Sequence, residues 1–320
     1  MKRHRTEKDD MATCSMGSRS HALGIRIAII STAALVFSGC AAQSPSAKPG
    51  SSAAEQRFST PKAAVDAVLA ACGNNDEARL LAIFGEQAKP IVSTGDPASD
   101  RERCQKFVDA AKEMTRLDPK GPDRAQLVVG SDDWPFPIPL VKDDKSWRFD
   151  TAEGLREIRR RRVGADELEA IKACRTYVIA QEEHAARTRG AYASALVGAR
   201  GKAGLAWPVT GDEDASPVVA SDASPKGQGP QATWRGYHYR ILTSQGGNAP
   251  GGQRSYVTNG KMTRGFALVA YPAIYGLTGV KTFVVGPDGH VYEKDLGEKS
   301  DQVAAAITSY DPDGTWKRID

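Results

Sequence analysis

The sequence predicts an α+β fold: N-terminal helices packed on a small antiparallel sheet, a long middle helix, and a C-terminal antiparallel sheet with a closing helix. Three observations carry this. Val65, Val68, Leu69 and Cys72 recur at the i, i+3, i+4, i+7 spacing of one helix face, and Cys104, Phe107, Val108 and Ala111 repeat it. The period then shortens to runs of four to six residues bounded by Pro, Gly and Asp. Between the two groups of strands lies a charged stretch, Asp166–Leu196, without a proline.

In chain order, Phe58–Cys72 opens with Ser59-Thr60-Pro61, a helix cap followed by proline in the first turn. Asn75–Phe84 is a second helix after Gly73-Asn74, and Asp100–Thr115 a third, with Ser99 or Asp100 as its cap. Ala125–Val129 and Ile138–Val141 read as strands joined by Trp134-Pro135-Phe136-Pro137. The turn Lys142-Asp143-Asp144-Lys145 leads into the strand Ser146–Asp150 and a short helix, Ala152–Arg161. The long helix is expected over Asp166–Leu196, and Pro208–Thr233 is dense in Pro, Gly, Ser and Asp, as a linker is. Strand signals return at Tyr237–Thr243, Phe266–Tyr271, Thr282–Val285 and His290–Lys294, with Pro287-Asp288-Gly289 joining the last two as a hairpin. Ser300–Tyr310 is the closing helix. The chain accordingly divides into an N-terminal α+β domain (58–162), a long-helix region (163–207), a loop (208–233) and a C-terminal β-rich domain (234–320).

Residues 1–40 read as an address. Basic residues are spread over Met1–Arg26, and Leu23–Phe37 is almost wholly apolar or small. Its length suits the ~7–15-residue apolar region of a signal peptide and falls short of the ~20 residues of a membrane span. The run ends in Phe37-Ser38-Gly39-Cys40, small residues before a cysteine, as lipoprotein processing requires, although Phe37 stands where leucine is usual. Cys40 is therefore the expected lipidation site and new N-terminus, anchoring the chain to a membrane and facing the periplasm. An ordinary cleaved signal is the alternative. Residues 41–57, rich in Ser, Ala and Pro, are expected to form a flexible tether.

The segment 1–40 holds six of the 43 basic and three of the 39 acidic residues, which leaves 37 against 36 in the remainder. With no charge excess and no interleaving of aromatic and basic residues, a nucleic-acid partner is not expected. Of the five cysteines, Cys72, Cys104 and Cys174 belong to the body. Cys72 and Cys104 point inward from two helices. A bridge between them and two buried thiols are both open readings, a bridge being favoured by an oxidising compartment. Cys174 shares a helix face with Leu168, Ile171 and Val178 and reads as a small buried hydrophobe. No cysteine–histidine cluster points to a metal, and no motif points to a cofactor.

WPFPIPLVKDDKSWRFDT, GYHYRILTSQGGNAPGG, YVTNGKMTRGFALVAYPAIYGLTGVKTFVV and DGHVYEKDLGE closely resemble the bacterial DUF2950 family, from about Phe58 to Lys317. Its members are mostly envelope lipoproteins of unknown function. The resemblance implies a shared fold, an exported location and a loop 208–233 of variable length. It implies no activity or catalytic residue.

Several constellations bear on function. Gly246-Gly247-Asn248-Ala249-Pro250-Gly251-Gly252 could form an anion-binding nest, or serve only to connect two strands. His184, His238 and His290 are the histidines after residue 40, and none accompanies a nucleophile elbow. Asp132-Asp133 and Asp143-Asp144 read as solvated turn carboxylates. The aromatic residues Trp134, Phe136, Tyr237, Tyr239 and Tyr271 are candidates for a binding groove, with core packing as the alternative. These features favour a membrane-tethered, non-catalytic binding or assembly protein with an envelope protein partner. A pseudopilin-like assembly component and a hydrolase acting on envelope polymers are the alternatives.

Overall fold

Residues 55–197, 204–206 and 232–319 are described by the structure, a computed structural model of the chain. The expected signal segment 1–40, most of the tether 41–57 and most of the loop 208–233 lie outside the described residues. The fold is α+β.

Thr60 caps α1 (Pro61–Gly73), its side chain accepting from the Ala63 N–H, and Pro61 occupies a first-turn position where an N–H has no partner to lose. α2 (Glu77–Phe84) starts from an Asp76 cap and stops at Gly85, whose φ is 81°. A single tight turn at 86–88 leads into α3 (Lys89–Val92). α4 (Pro97–Glu113) begins earlier than the sequence reading had it, because Asp96-Pro97 supplies both the cap and the first-turn proline. Asp100 turns back instead, accepting from the N–H and hydroxyl of Thr94.

β1 (Thr115–Pro119) follows as an edge strand that the sequence reading missed, since TRLDP offers only Leu117 to an apolar face. β2 (Arg124–Val129) pairs with β1 on one edge. On the other it pairs first with β3 (Trp134–Pro135) and then with β4 (Leu140–Asp143). Pro135, Pro137 and Pro139 have no N–H to give the ladder. Between β3 and β4 the Phe136 N–H donates to the Leu127 carbonyl (2.8 Å), and the strand expected at Ile138–Val141 begins only at Leu140. β5 (Ser146–Phe149) completes the sheet, and Phe58 bridges to Trp147 on its outer edge.

α5 (Thr151–Arg187) is one helix of 37 residues, where the sequence reading placed two. At a rise of about 1.5 Å per residue it is about 55 Å long. Gly164 does not interrupt it. A mid-helix glycine costs only about 1 kcal/mol against alanine, and Glu153 and Glu157 form ion pairs with Arg156, Arg160 and Arg161 one and two turns on. The helix ends before the predicted Leu196 because Arg189 (φ 60°) and Gly190 (φ 88°) enter the left-handed region. There the Gly190 N–H returns to the Ala185 carbonyl at 2.8 Å.

β6 (Ala195–Val197) and β7 (Gly204–Ala206) form a short parallel pair. β8 (Ala232–Trp234) and β9 (Tyr237–Leu242) are the first two strands of the C-terminal sheet. Two small hairpins follow, β10 (Ser244–Gln245) with β11 (Arg254–Ser255), and β12 (Val257–Thr258) with β13 (Lys261–Met262). The chain then re-enters the sheet as β14 (Ala267–Pro272), β15 (Lys281–Val285) and β16 (Val291–Asp295). The turn at Pro287-Asp288-Gly289 joins β15 to β16, with Gly289 at φ 74°. α6 (Ser300–Ala306) is shorter than expected because Ile307 leaves the helical region. β17 (Lys317–Arg318) closes an antiparallel sheet of order β17-β16-β15-β14-β9-β8.

Alternate residues of β9 face opposite sides of this sheet. Tyr237 and Tyr239 join Cys174 and Tyr177 of α5 in one core, whereas Arg240 caps α6, donating to the Ala304 and Ile307 carbonyls at 2.7 Å each. A second core is built from Val68, Ile83, Phe84, Leu127, Leu140 and Phe149. α5 serves both: Gly154 lies against Ile138 at one end, and Ala170, Cys174 and Ala180 are buried in the C-terminal core at the other.

The two glycines of α5 should respond oppositely to a methyl group. A Cβ at Gly154 would lie 2.5 Å from Ile138 Cγ1, whereas one at Gly164 meets nothing within 4 Å. Gly154→Ala is expected to destabilise by about 1–3 kcal/mol through overpacking. Gly164→Ala should stabilise by about 1 kcal/mol. Urea denaturation of the two variants reads the difference, and the same sign for both would mean that α5 does not press on Ile138.

Candidate functional site

The proline-stiffened segment after β3 leaves one flank of the N-terminal core open. Phe84, Phe107, Trp134, Phe136, Ile91 and Ile158 help to line a cleft of about 300 Å³ to which each of the first five helices contributes. Phe136 is its hub, with ring centroids 5.2 Å from Phe107, 6.0 Å from Phe149, and 6.2 Å from both Phe84 and Trp134. Trp134 is 45% exposed at the rim. The Arg161 guanidinium sits 5.6 Å from the centre of its ring and donates to the Pro135 carbonyl at 2.8 Å, fixing the β3 segment to α5.

The polar lining comes from the first turns of α4. Arg103 Nη2 donates to Asp100 Oδ1 at 2.6 Å. Hydrogen bonding from Thr94, then from Arg103, holds the Asp100 carboxyl below its usual range, so it is ionised at neutral pH. An adjoining cavity of about 200 Å³ shares Leu80, Val92, Asp100 and Cys104 with the cleft.

Cys72 and Cys104 meet in the cleft wall, their sulfurs 2.6 Å apart. That is longer than a disulfide bond of about 2.05 Å, and neither thiol carries one here. Burial, and then the Cys104 sulfur, push the Cys72 thiol far above its ordinary value. An attacking nucleophile needs the opposite shift. Cys174 is fully buried and its thiol is pushed up to about 12, which suits an inert core residue.

A family of proteins of unknown function, DUF2950, matches residues 55–319. The chain belongs to the DUF2950 family. No curated protein and no solved structure matches it.

In this DUF2950 chain the five aromatic residues grouped as one candidate groove separate. Trp134 and Phe136 line the cleft, whereas Tyr237, Tyr239 and Tyr271 are 0%, 3% and 2% exposed in the C-terminal core. Tyr237 donates to the Lys281 carbonyl at 2.9 Å, and Tyr271 packs beside His238 with ring centroids 5.2 Å apart. The glycine-rich loop does turn an amide toward an anion, and the chain supplies that anion itself. The Asn248 N–H donates to Asp311 Oδ1 at 2.7 Å, and the Gln245 amide donates to the Pro250 and Gly252 carbonyls at 2.7 Å each. Asp133 pairs with Arg116 and Asp143 with Arg148, both at 2.7 Å, as solvated turn carboxylates do. His290 donates its backbone N–H to Asp288, whose carboxylate also accepts from the Tyr310 hydroxyl. No group of three or more His, Cys, Asp or Glu side chains gathers as a metal site among the described residues. Phe84, Phe107, Ile91 and Ile158 were missed as cleft residues because nothing in a helical apolar pattern separates a lining side chain from a core one.

The Cys72–Cys104 contact yields a direct expectation. With oxidised glutathione as the electron acceptor and a thiol–disulfide exchange catalyst, the protein should form this bridge, seen as a crosslinked peptide pair in a non-reducing digest. The bridge closes a loop of 32 residues, so reducing it should cost about 3–4 kcal/mol in denaturant midpoint measurements. Two separately alkylated peptides would mean that the pair stays reduced.

Proposed function

We propose that this DUF2950 protein is a membrane-tethered lipoprotein of the bacterial envelope, and that its body binds a partner or ligand through the N-terminal cleft rather than catalysing a reaction. One observation carries the binding half. The cleft is lined by aromatic and aliphatic side chains, with an exposed tryptophan at its rim and its few polar groups confined to one side. Recognition sites have that make-up. The tether half is supported by Phe37-Ser38-Gly39-Cys40 and the Ser/Ala/Pro-rich stretch behind it.

A pseudopilin-like assembly component is the second reading, for one geometric reason. It calls for a long helix laid across an antiparallel sheet, and α5 packs on β14, β15 and β16 in that way. It also calls for the body to begin with that helix, whereas here a folded helix-and-sheet layer precedes it. A hydrolase would need His238 or His290 beside a carboxylate in a cleft. Neither histidine lines the cavities described above, and burial lowers the pKa of His238.

Two measurements test the proposal. Protein extracted from membranes should have an intact mass that begins at Cys40 and includes acyl chains, and Cys40→Ala should lack them. A mature mass without lipid would remove the anchor. The uncharged dye N-phenyl-1-naphthylamine should brighten on the wild type and much less on Ile91→Trp, whose indole fills the cleft. Equal brightening would move the binding surface elsewhere.

A further inference from the structure

We propose that the cleft takes a free, single-chain anionic amphiphile, with its hydrocarbon tail among Ile91, Phe107 and Phe136 and its anionic group at Arg103. The inference rests on the reading of the cleft as the binding surface and adds the class of ligand.

The size and lining suit a chain. The cleft of about 300 Å³ shares Leu80, Val92, Asp100 and Cys104 with a neighbouring cavity of about 200 Å³, and its own walls are mainly aromatic and aliphatic. Such a volume lies in the ~300–1,000 Å³ range of small-molecule sites. A flexible tail can adjust its torsions to the lining of Ile91, Phe107 and Phe136, where a rigid ring system needs one matching shape.

The walls argue against a peptide. An extended peptide would bring backbone N–H and C=O groups into the cleft, each costing about 1–3 kcal/mol if buried without a partner. The segment that could pair with it reads Trp134-Pro135-Phe136-Pro137-Ile138-Pro139, in which every second residue has no N–H. The Phe136 N–H is already given to Leu127, and the Phe136 carbonyl accepts from Gln126. A hydrocarbon tail asks for no hydrogen bonds.

The charges argue for an anion. Asp100 is the carboxylate of the lining, and it is saturated, accepting from the Thr94 N–H, the Thr94 hydroxyl and Arg103. Arg103 gives Asp100 only Nη2, which leaves the rest of a half-exposed guanidinium to meet a ligand. Arg101 and Glu77 both line the adjoining cavity, and Arg161 stands over Trp134 with Glu157 as its ion-pair partner. A cation entering the cleft would meet guanidinium groups and a carboxylate already satisfied. An anion gains a charge-assisted hydrogen bond.

The test compares decanoate with its uncharged counterpart decanol, each below its aggregation concentration, by calorimetry on the full protein. The wild type should bind decanoate about tenfold more tightly than decanol, the effect of one charge-assisted hydrogen bond at a partly exposed site. Arg103→Gln should keep decanol binding and lose the preference. Ile91→Trp should lose both ligands, with Ile158→Trp, from the opposite wall, repeating the test should the first variant fail to fold. Equal affinity of the wild type for the two compounds would overturn the ligand class and leave the apolar cleft standing. Undiminished binding in both folded tryptophan variants would overturn the location. No binding of either compound by the wild type would overturn this inference together with the reading beneath it.

Discussion

The structure depends on one helix being buried at its two ends in two different cores. At its N-terminal end α5 presses backbone against Ile138 through Gly154; some four turns later it presents Ala170, Cys174 and Tyr177 to the C-terminal sheet. The stretch between carries its own Glu–Arg pairs, lends Ile158 to the cleft, and accepts the Val280 and Lys281 N–H groups at Glu167. Near the far end, Gln181 exchanges hydrogen bonds with the backbone of Ala193 (2.8 and 2.9 Å), and Tyr177 donates to the Ala267 carbonyl at 3.0 Å. Buried polar groups of this kind cost little only when fully paired. They fix the rotation of the helix on the sheet, which small buried side chains such as Ala170 and Ala180 alone would leave loosely defined.

That rotation reaches the cleft. Ile158 and Arg161 lie one turn apart on the same side of α5, the first lining the cavity and the second holding Trp134 and the Pro135 carbonyl. Helix-on-sheet packing in one half therefore positions a wall and a rim group of the site in the other. The cleft itself persists because its sheet-side wall cannot relax inward. Three prolines within 135–139 stiffen that wall, and Phe136 is clamped among Phe84, Phe107 and Phe149.

Much of this was legible in the sequence, and what was not has identifiable causes. Helices with an apolar period and a cap residue, such as Thr60-Pro61, could be placed nearly to the residue. So could the β15–β16 hairpin, where Pro287-Asp288-Gly289 leaves few other conformations. The break assigned near Gly164 was wrong because local propensity is a small term, overridden by packing at both ends of the helix. β1 was invisible because this edge strand buries none of its five residues and half-buries only Leu117 and Asp118. The site was half legible. Trp134 and Phe136 stood out as an aromatic strip among prolines, but Tyr237, Tyr239 and Tyr271 looked equally suggestive. Only the fold shows that those three are buried, Tyr237 and Tyr239 on one face of the C-terminal sheet and Tyr271 on the other.

The clamp between the glycine-rich loop and the segment at Tyr310-Asp311 bears on the order of assembly. Asn248 is tied to Asp311, Gln245 bridges to Tyr310, and the Ile319 N–H reaches back to Val291. A chain emerging N-terminus first, from a ribosome or through a narrow channel, cannot make these bonds until residues 310–319 are free. The first helices and their small sheet can form during emergence, while the C-terminal sheet stays unlocked until that segment arrives. The order of the chain thus makes Asp311 a late partner, and without it the loop at 246–252 would lack the carboxylate that the Asn248 N–H meets.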